Sequence, residues 1–135
     1  MLSGYIFRGT LILTAFAALA AGQAERGTAK ATLRDAKGRE VGTVVLTDTP
    51  RGVLVRVDAK GLPPGERAFH IHERGVCTPP DFTSAGGHYN PAKKHHGFHS
   101  PGGHHAGDMA NLVVAADGTA HAEVFVEGVK VAGSG

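Results

Sequence analysis

Eight of the nine histidines in this 135-residue chain fall in one window: His70, His72, His88, His95, His96, His99, His104 and His105, with Asp108 close behind. Imidazole is the commonest metal ligand among side chains, and it suits zinc and copper. His70 and His72 flank Ile71 in a segment that reads as a strand. Side chains at i and i+2 share one face of a strand, so the two imidazoles can hold one ion between them. An HxH alone also describes an ordinary histidine pair, so the second group carries more weight. His88, His96, His105 and Asp108 offer three nitrogens and one carboxylate oxygen, the closed four-coordinate set that structural zinc takes. His105 and Asp108 are three residues apart with Gly107 before the acid, a spacing compatible with two ligands on one tight turn. His95, His99 and His104 have the same chemistry, and looser metal capture by the whole tract is the competing reading.

These residues need elements to position them. Ala29 to Arg34 alternates apolar and polar residues, and Arg39 to Thr47 follows after the turn Asp35-Ala36-Lys37-Gly38, so a hairpin is expected. Val53, Val55 and Val57 alternate with Leu54, Arg56 and Asp58 in a third strand. Gly61-Leu62-Pro63-Pro64-Gly65 breaks the pattern, and a fourth strand is expected over Ala68 to Glu73. Asn111 to Ala115 and Thr119 to Val126, around the turn Ala116-Asp117-Gly118, make a last hairpin. No segment sustains helical spacing, and no internal repeat is visible. The class is all-β, a Greek-key sandwich or flattened barrel. From Arg74 to Gly107 neither period is present. So long a loop in a compact domain calls for something to order it, and bound metal does so because its binding free energy acts as folding free energy.

The remaining composition narrows the function classes. Arg8, the apolar run Leu11 to Ala21 and the small residues around Gly22-Gln23-Ala24 read as a secretory signal peptide over 1–24, leaving one domain over 25–135. The apolar run is too short to span a bilayer comfortably, and no second one exists, so no membrane association is expected after cleavage. The formal charge is +2, with no basic stripe interleaved with aromatics, which argues against a nucleic-acid partner. Cys77 is the only cysteine, so disulfides do not define the fold.

Four motifs in order resemble the copper–zinc superoxide dismutases, the bacterial periplasmic branch above all. They are Gly61-Leu62-Pro63-Pro64-Gly65, Phe69-His70-Ile71-His72-Glu73, Ser84-Ala85-Gly86-Gly87-His88-Tyr89-Asn90-Pro91 and His105-Ala106-Gly107-Asp108. The resemblance runs from about Ala29 to Val126. It implies copper on His70, His72 and His88, and zinc on His88, His96, His105 and Asp108, with His88 bridging the two metals. The family's spacing, eight residues after the bridging histidine and then nine more, selects His96 over His95 and His105 over His104. It implies an exported enzyme, periplasmic or secreted, that disproportionates superoxide to dioxygen and hydrogen peroxide through His70, His72 and His88. Its partners would be superoxide and, among macromolecules, at most a second copy in a homodimer.

The chain departs from this pattern in two places. Arg67 and Ala68 stand where the family commonly has His-Gly, and the added Cβ is expected to shift the strand near copper. The family's later strands, fourth copper histidine, anion-attracting arginine and second disulfide cysteine have no match before Gly135. The sequence therefore reads as an incomplete chain with its last strands missing, of low activity by itself and with Cys77 unpaired. A periplasmic copper- or zinc-binding protein without catalysis is the alternative function.

Overall fold

The computed structural model describes residues 27–131; the expected signal peptide over 1–24 lies outside the described residues. The described chain is built from strands: β1 (Thr28–Arg34), β2 (Glu40–Asp48), β3 (Gly52–Ala59), β4 (Gly65–Arg67), β5 (Leu112–Val114) and β6 (Ala120–Glu127), with a single 3-10 turn at Thr83–Ala85. One antiparallel sheet has the order β1-β2-β3-β6, and β4 pairs with β5 in a second. The chain leaves the first sheet after β3, builds the second sheet and the long loop, and returns as β6 beside β3. That return is the Greek-key feature. The two sheets stay separate, so of the two expected forms the described residues make the sandwich.

The period-2 pattern explains the core. Val53, Val55 and Val57 point inward from β3 and are 0%, 1% and 1% exposed. Each such valine contributes roughly 1.5–3 kcal/mol of burial. In register beside them lie Val44 and Leu46 of β2 and Val124 and Val126 of β6. Leu112 and Val114 of β5 and Met109 close the same cluster from the second sheet. The core thus packs against the end of the histidine loop, one residue past Asp108. The first turn is fixed by Asp35, whose Oδ1 accepts the Lys37 and Arg39 amides, each at 2.9 Å. No helix among the described residues is long and apolar enough to cross a membrane.

The expected fourth strand needs correction. The ladder occupies Gly65–Arg67, and residues 68–73 hold only two isolated bridges, His70 with Asp108 and His72 with His88. Its neighbours are loop pieces: residues 85–89 bond it at Ile71, Glu73 and Arg74, and Gly107 bonds it at Ile71, without forming a continuous ladder. Arg67 donates from Nε to the Pro63 carbonyl at 2.9 Å and also to that of Pro64, closing the turn before β4, while Ala68 is exposed and its Cβ meets solvent.

Candidate metal centre

The His70–His72 segment is framed by backbone on both sides. The Ile71 amide donates to Gly107 O at 2.9 Å, the Tyr89 amide donates to Ile71 O at 2.8 Å, and the Gly107 amide donates to Tyr89 O at 2.8 Å. Three distant pieces of sequence are thereby drawn around one residue, and each brings its histidines. Glycine is required at 107, because a Cβ there would come within 2.4 Å of Ile71 O.

Asp108 sits at the centre and is 5% exposed. Its Oδ2 accepts the Gly97 amide at 2.9 Å and the His105 amide at 3.1 Å. Its Oδ1 accepts no hydrogen bond. Instead three imidazole nitrogens surround it: Nδ1 of His88 at 3.3 Å, of His96 at 3.2 Å and of His105 at 3.4 Å. The His88 and His105 Nδ1 atoms are 3.3 Å from each other. A buried acceptor left unsatisfied is costly, and native structures rarely leave one without a reason. The spacing supplies the reason. Donors on a tetrahedron with zinc bonds of about 2.0–2.1 Å stand about 3.3–3.4 Å apart. Burial works to raise the Asp108 pKa, but the Gly97 and His105 amides, with His96 and His105 beside them, more than offset it and hold the carboxyl at about 2. Asp108 is therefore ionised at neutral pH, as a ligand must be.

The other half of the cluster faces His88 from the opposite side. The His70 ring stacks on His88 with centroids 3.9 Å apart and an 18° tilt, and the His72 ring meets His88 edge-on at 5.2 Å. His72 Nδ1 lies 3.0 Å from Gly86 O. A carbonyl can only accept, so the proton belongs on Nδ1 and the Nε2 lone pair is left for a metal. Gly86 turns its carbonyl there with φ +72°, a conformation that favours glycine. Burial first, and then neighbouring His88, lower the pKa of His70 and favour its neutral form. His70 Nε2 is 4.0 Å from Asp108 Oδ1, so a looser quartet of His70, His88, His96 and Asp108, with donors within 4.8 Å, overlaps the tight one. The tight set contains His105 instead, and its spacing suits a metal better.

The structure brings His70, His72, His88, His96, His105 and Asp108 together. The other histidines go elsewhere. His95 packs near Gly102, and His104 turns its Nδ1 to within 2.7 Å of the His105 carbonyl. His121 lies on the outer face of β6, 3.5 Å from Asp58. Cys77 is exposed and, with His72, lines a groove of about 480 Å³ against β1. Sequence reasoning missed the backbone groups, the Gly97 amide and the Gly86 carbonyl; Gly97 directly follows His96, and Gly86 stands two residues before His88.

The profile of the family described as copper/zinc superoxide dismutase (SODC) matches residues 40–135. The chain belongs to the copper/zinc superoxide dismutase family. It is 49% identical over 98 residues to superoxide dismutase [Cu-Zn] 2 of Aquifex aeolicus, covering 72% of this chain and 57% of that protein. Among solved structures it is similar to a SOD-like protein from Bacillus subtilis, with TM-score 0.70, 40% identity, and coverage of 73% of this chain and 66% of that one. It is also similar to the Cu/Zn superoxide dismutase from Brucella abortus, with TM-score 0.67, 32% identity, and coverage of 78% and 76%. The chain spans between 53% and 63% of the length of three bacterial Cu-Zn superoxide dismutases that it matches.

Proposed function

We propose that this chain carries the metal centre of a periplasmic or secreted superoxide dismutase, with zinc held by His88, His96, His105 and Asp108 and copper by His70, His72 and His88. The observation that carries the reading is Asp108 Oδ1, buried, without a hydrogen bond, and surrounded by three imidazole nitrogens at 3.2–3.4 Å. Copper at such a site supplies one-electron chemistry, which superoxide disproportionation requires. The residues do the rest. His72 is held by Gly86 O in the tautomer that presents Nε2. His88 commits Nδ1 to the Asp108 side, which leaves Nε2 on the His70 and His72 side, where it can take up and release a proton. The net reaction converts two superoxide radicals and two protons into dioxygen and hydrogen peroxide. Export fits the segment 1–24 read as a signal peptide.

The test measures superoxide consumption by the purified, metal-loaded chain with free copper removed by a chelator, alongside metal content. Turnover that disappears in His88→Ala together with bound copper supports the reading. Tight binding of both metals with no turnover supports a second reading, a copper- or zinc-binding protein without catalysis. That reading is favoured by one observation: a similar solved structure is described only as SOD-like. Failure to bind either metal at neutral pH would overturn both.

A further inference from the structure

The zinc set is closed on three sides and open on the fourth. The side chains of Asp108, His105 and His88 are 3%, 18% and 26% exposed, whereas that of His96 is 58% exposed. The loop around His96 carries three more imidazoles that the inner set does not use: His95, His99 and His104, all exposed. The backbone gathers them. Asn90 brackets Lys94, its Nδ2 donating to Lys94 O and its Oδ1 accepting the Lys94 amide, each at 2.9 Å, and this fixes the chain just before His95. Two successive turns follow, the Ser100 amide donating to Gly97 O and the Gly103 amide to Ser100 O, each at 3.1 Å. They fold the loop back, so that a Cβ on Gly102 would lie 3.3 Å from Cδ2 of His95. Two residues on, the His104 ring meets Phe98 edge-on with centroids 4.6 Å apart, and Phe98 directly precedes His99. His104 is also oriented. Its Nδ1 lies 2.7 Å from the His105 carbonyl. A carbonyl can only accept, so the proton belongs on Nδ1 and Nε2 keeps its lone pair. His72 stands in the same relation to Gly86 O, and bonds of this kind prepare an imidazole for a metal.

We propose that His95, His99 and His104 form an outer zinc site on the open side of the inner set. Imidazole suits zinc, and three imidazoles with water in the fourth place satisfy it while leaving one position open to exchange. The outer site is weaker than the inner one for physical reasons. It has no anionic ligand, and Lys93 and Lys94 add positive charge beside it. Among the described residues, the donors that already converge are those of the inner set. An ion on the outer site must therefore draw exposed side chains together, at a cost in rotamer freedom. Weak and exposed, it takes up zinc and gives it up again beside His96, the ligand through which the inner set meets solvent. The outer site stands on its own donors, whether or not the inner set is the zinc site proposed above.

The experiment loads the full chain with copper and zinc, removes excess metal by desalting, measures the metal retained, and then titrates with zinc chloride in a calorimeter. The wild-type chain should take up a further equivalent of zinc. The variant H95Q/H99Q/H104Q should bind that equivalent at least about tenfold more weakly, while retaining as much metal through desalting as wild type. Cys77→Ser and His121→Gln remove other exposed groups that can bind zinc, and both should leave the further equivalent in place. If the triple variant fails to fold, judged by circular dichroism, H95Q and H104Q are titrated singly, and each should weaken the event. Retained metal reads the inner set separately: a chain that keeps none through desalting yet shows histidine-dependent uptake would sink the inner assignment and support the outer one. A wild-type chain that takes no further zinc, a folded triple variant that binds it like wild type, or its loss in Cys77→Ser or His121→Gln would each overturn the proposal.

Discussion

Asp108 meets two demands with two oxygens. Oδ2 is fixed by the Gly97 and His105 amides, and this aims Oδ1 at three imidazoles. The neighbouring histidines differ sharply in what they reach. His96 Nδ1 is 3.2 Å from Oδ1, whereas His95 packs near Gly102. His96→Ala should therefore weaken zinc binding by well over about tenfold, the lower bound for losing even an outer-shell partner, while His95→Ala should change it little. Zinc titration with a competing chelator measures both, and equal losses would count against the assignment. Acid should act through Asp108 as well. Its carboxyl ionises at about 2 in the folded metal-free chain, against an ordinary value of 3.8. A lowered folded pKa contributes stability that is complete above the ordinary value and fades as pH falls from there toward the folded one. Urea midpoints of the chelator-treated protein should fall as pH drops from about 4 to about 2. In Asp108→Asn that portion of the slope should be absent.

The segment around Ile71 is the element on which the site depends, although it hardly counts as a strand. Gly107→Ala would drive a Cβ to 2.4 Å from Ile71 O, a backbone atom that cannot step aside cheaply. It should cost about 1–3 kcal/mol, the range for overpacking a tight contact, and should release metal. Gly75→Ala is the control, since nothing lies within 4 Å of its would-be Cβ. Its effect should stay within about 0.5 kcal/mol. Denaturant unfolding with metal analysis reads both. The same segment shows what sequence can and cannot convey. The β1–β3 and β6 boundaries were legible to within a residue or two, because alternation and turn residues such as Asp35 and Gly38 act locally. Residues 68–73 alternate just as well, yet they form two bridges and scattered backbone bonds, because a ladder depends on the path of distant partners. The histidine register was legible through family spacing. The hydrogen bonds from Gly97 to Asp108 and from His72 to Gly86 were not, since a backbone group leaves no trace in residue type.

Over the whole molecule, stability is divided unevenly. The four-stranded sheet buries its valines without help, whereas residues 68–108 own few apolar contacts and gather around Asp108. Chelation should therefore strip amide-exchange protection from that loop while β2 and β3 keep theirs. Loss of protection throughout would show that the loop and the sheet open as one unit, and no loss at all would show that metal does not order the loop. The hydrogen-bonded frame of Ile71, Tyr89 and Gly107 has one more consequence. Residues leading to both halves of the histidine cluster hang on the same three amides, and His88 touches both halves. An ion that stiffens one half prepays the ordering that the other half would need. Linkage then makes the benefit mutual: whatever factor zinc adds to copper affinity, copper must return to zinc. Two titrations in opposite order around one thermodynamic cycle should give the same coupling constant, so the loading sequence can govern rates but not the final occupancy.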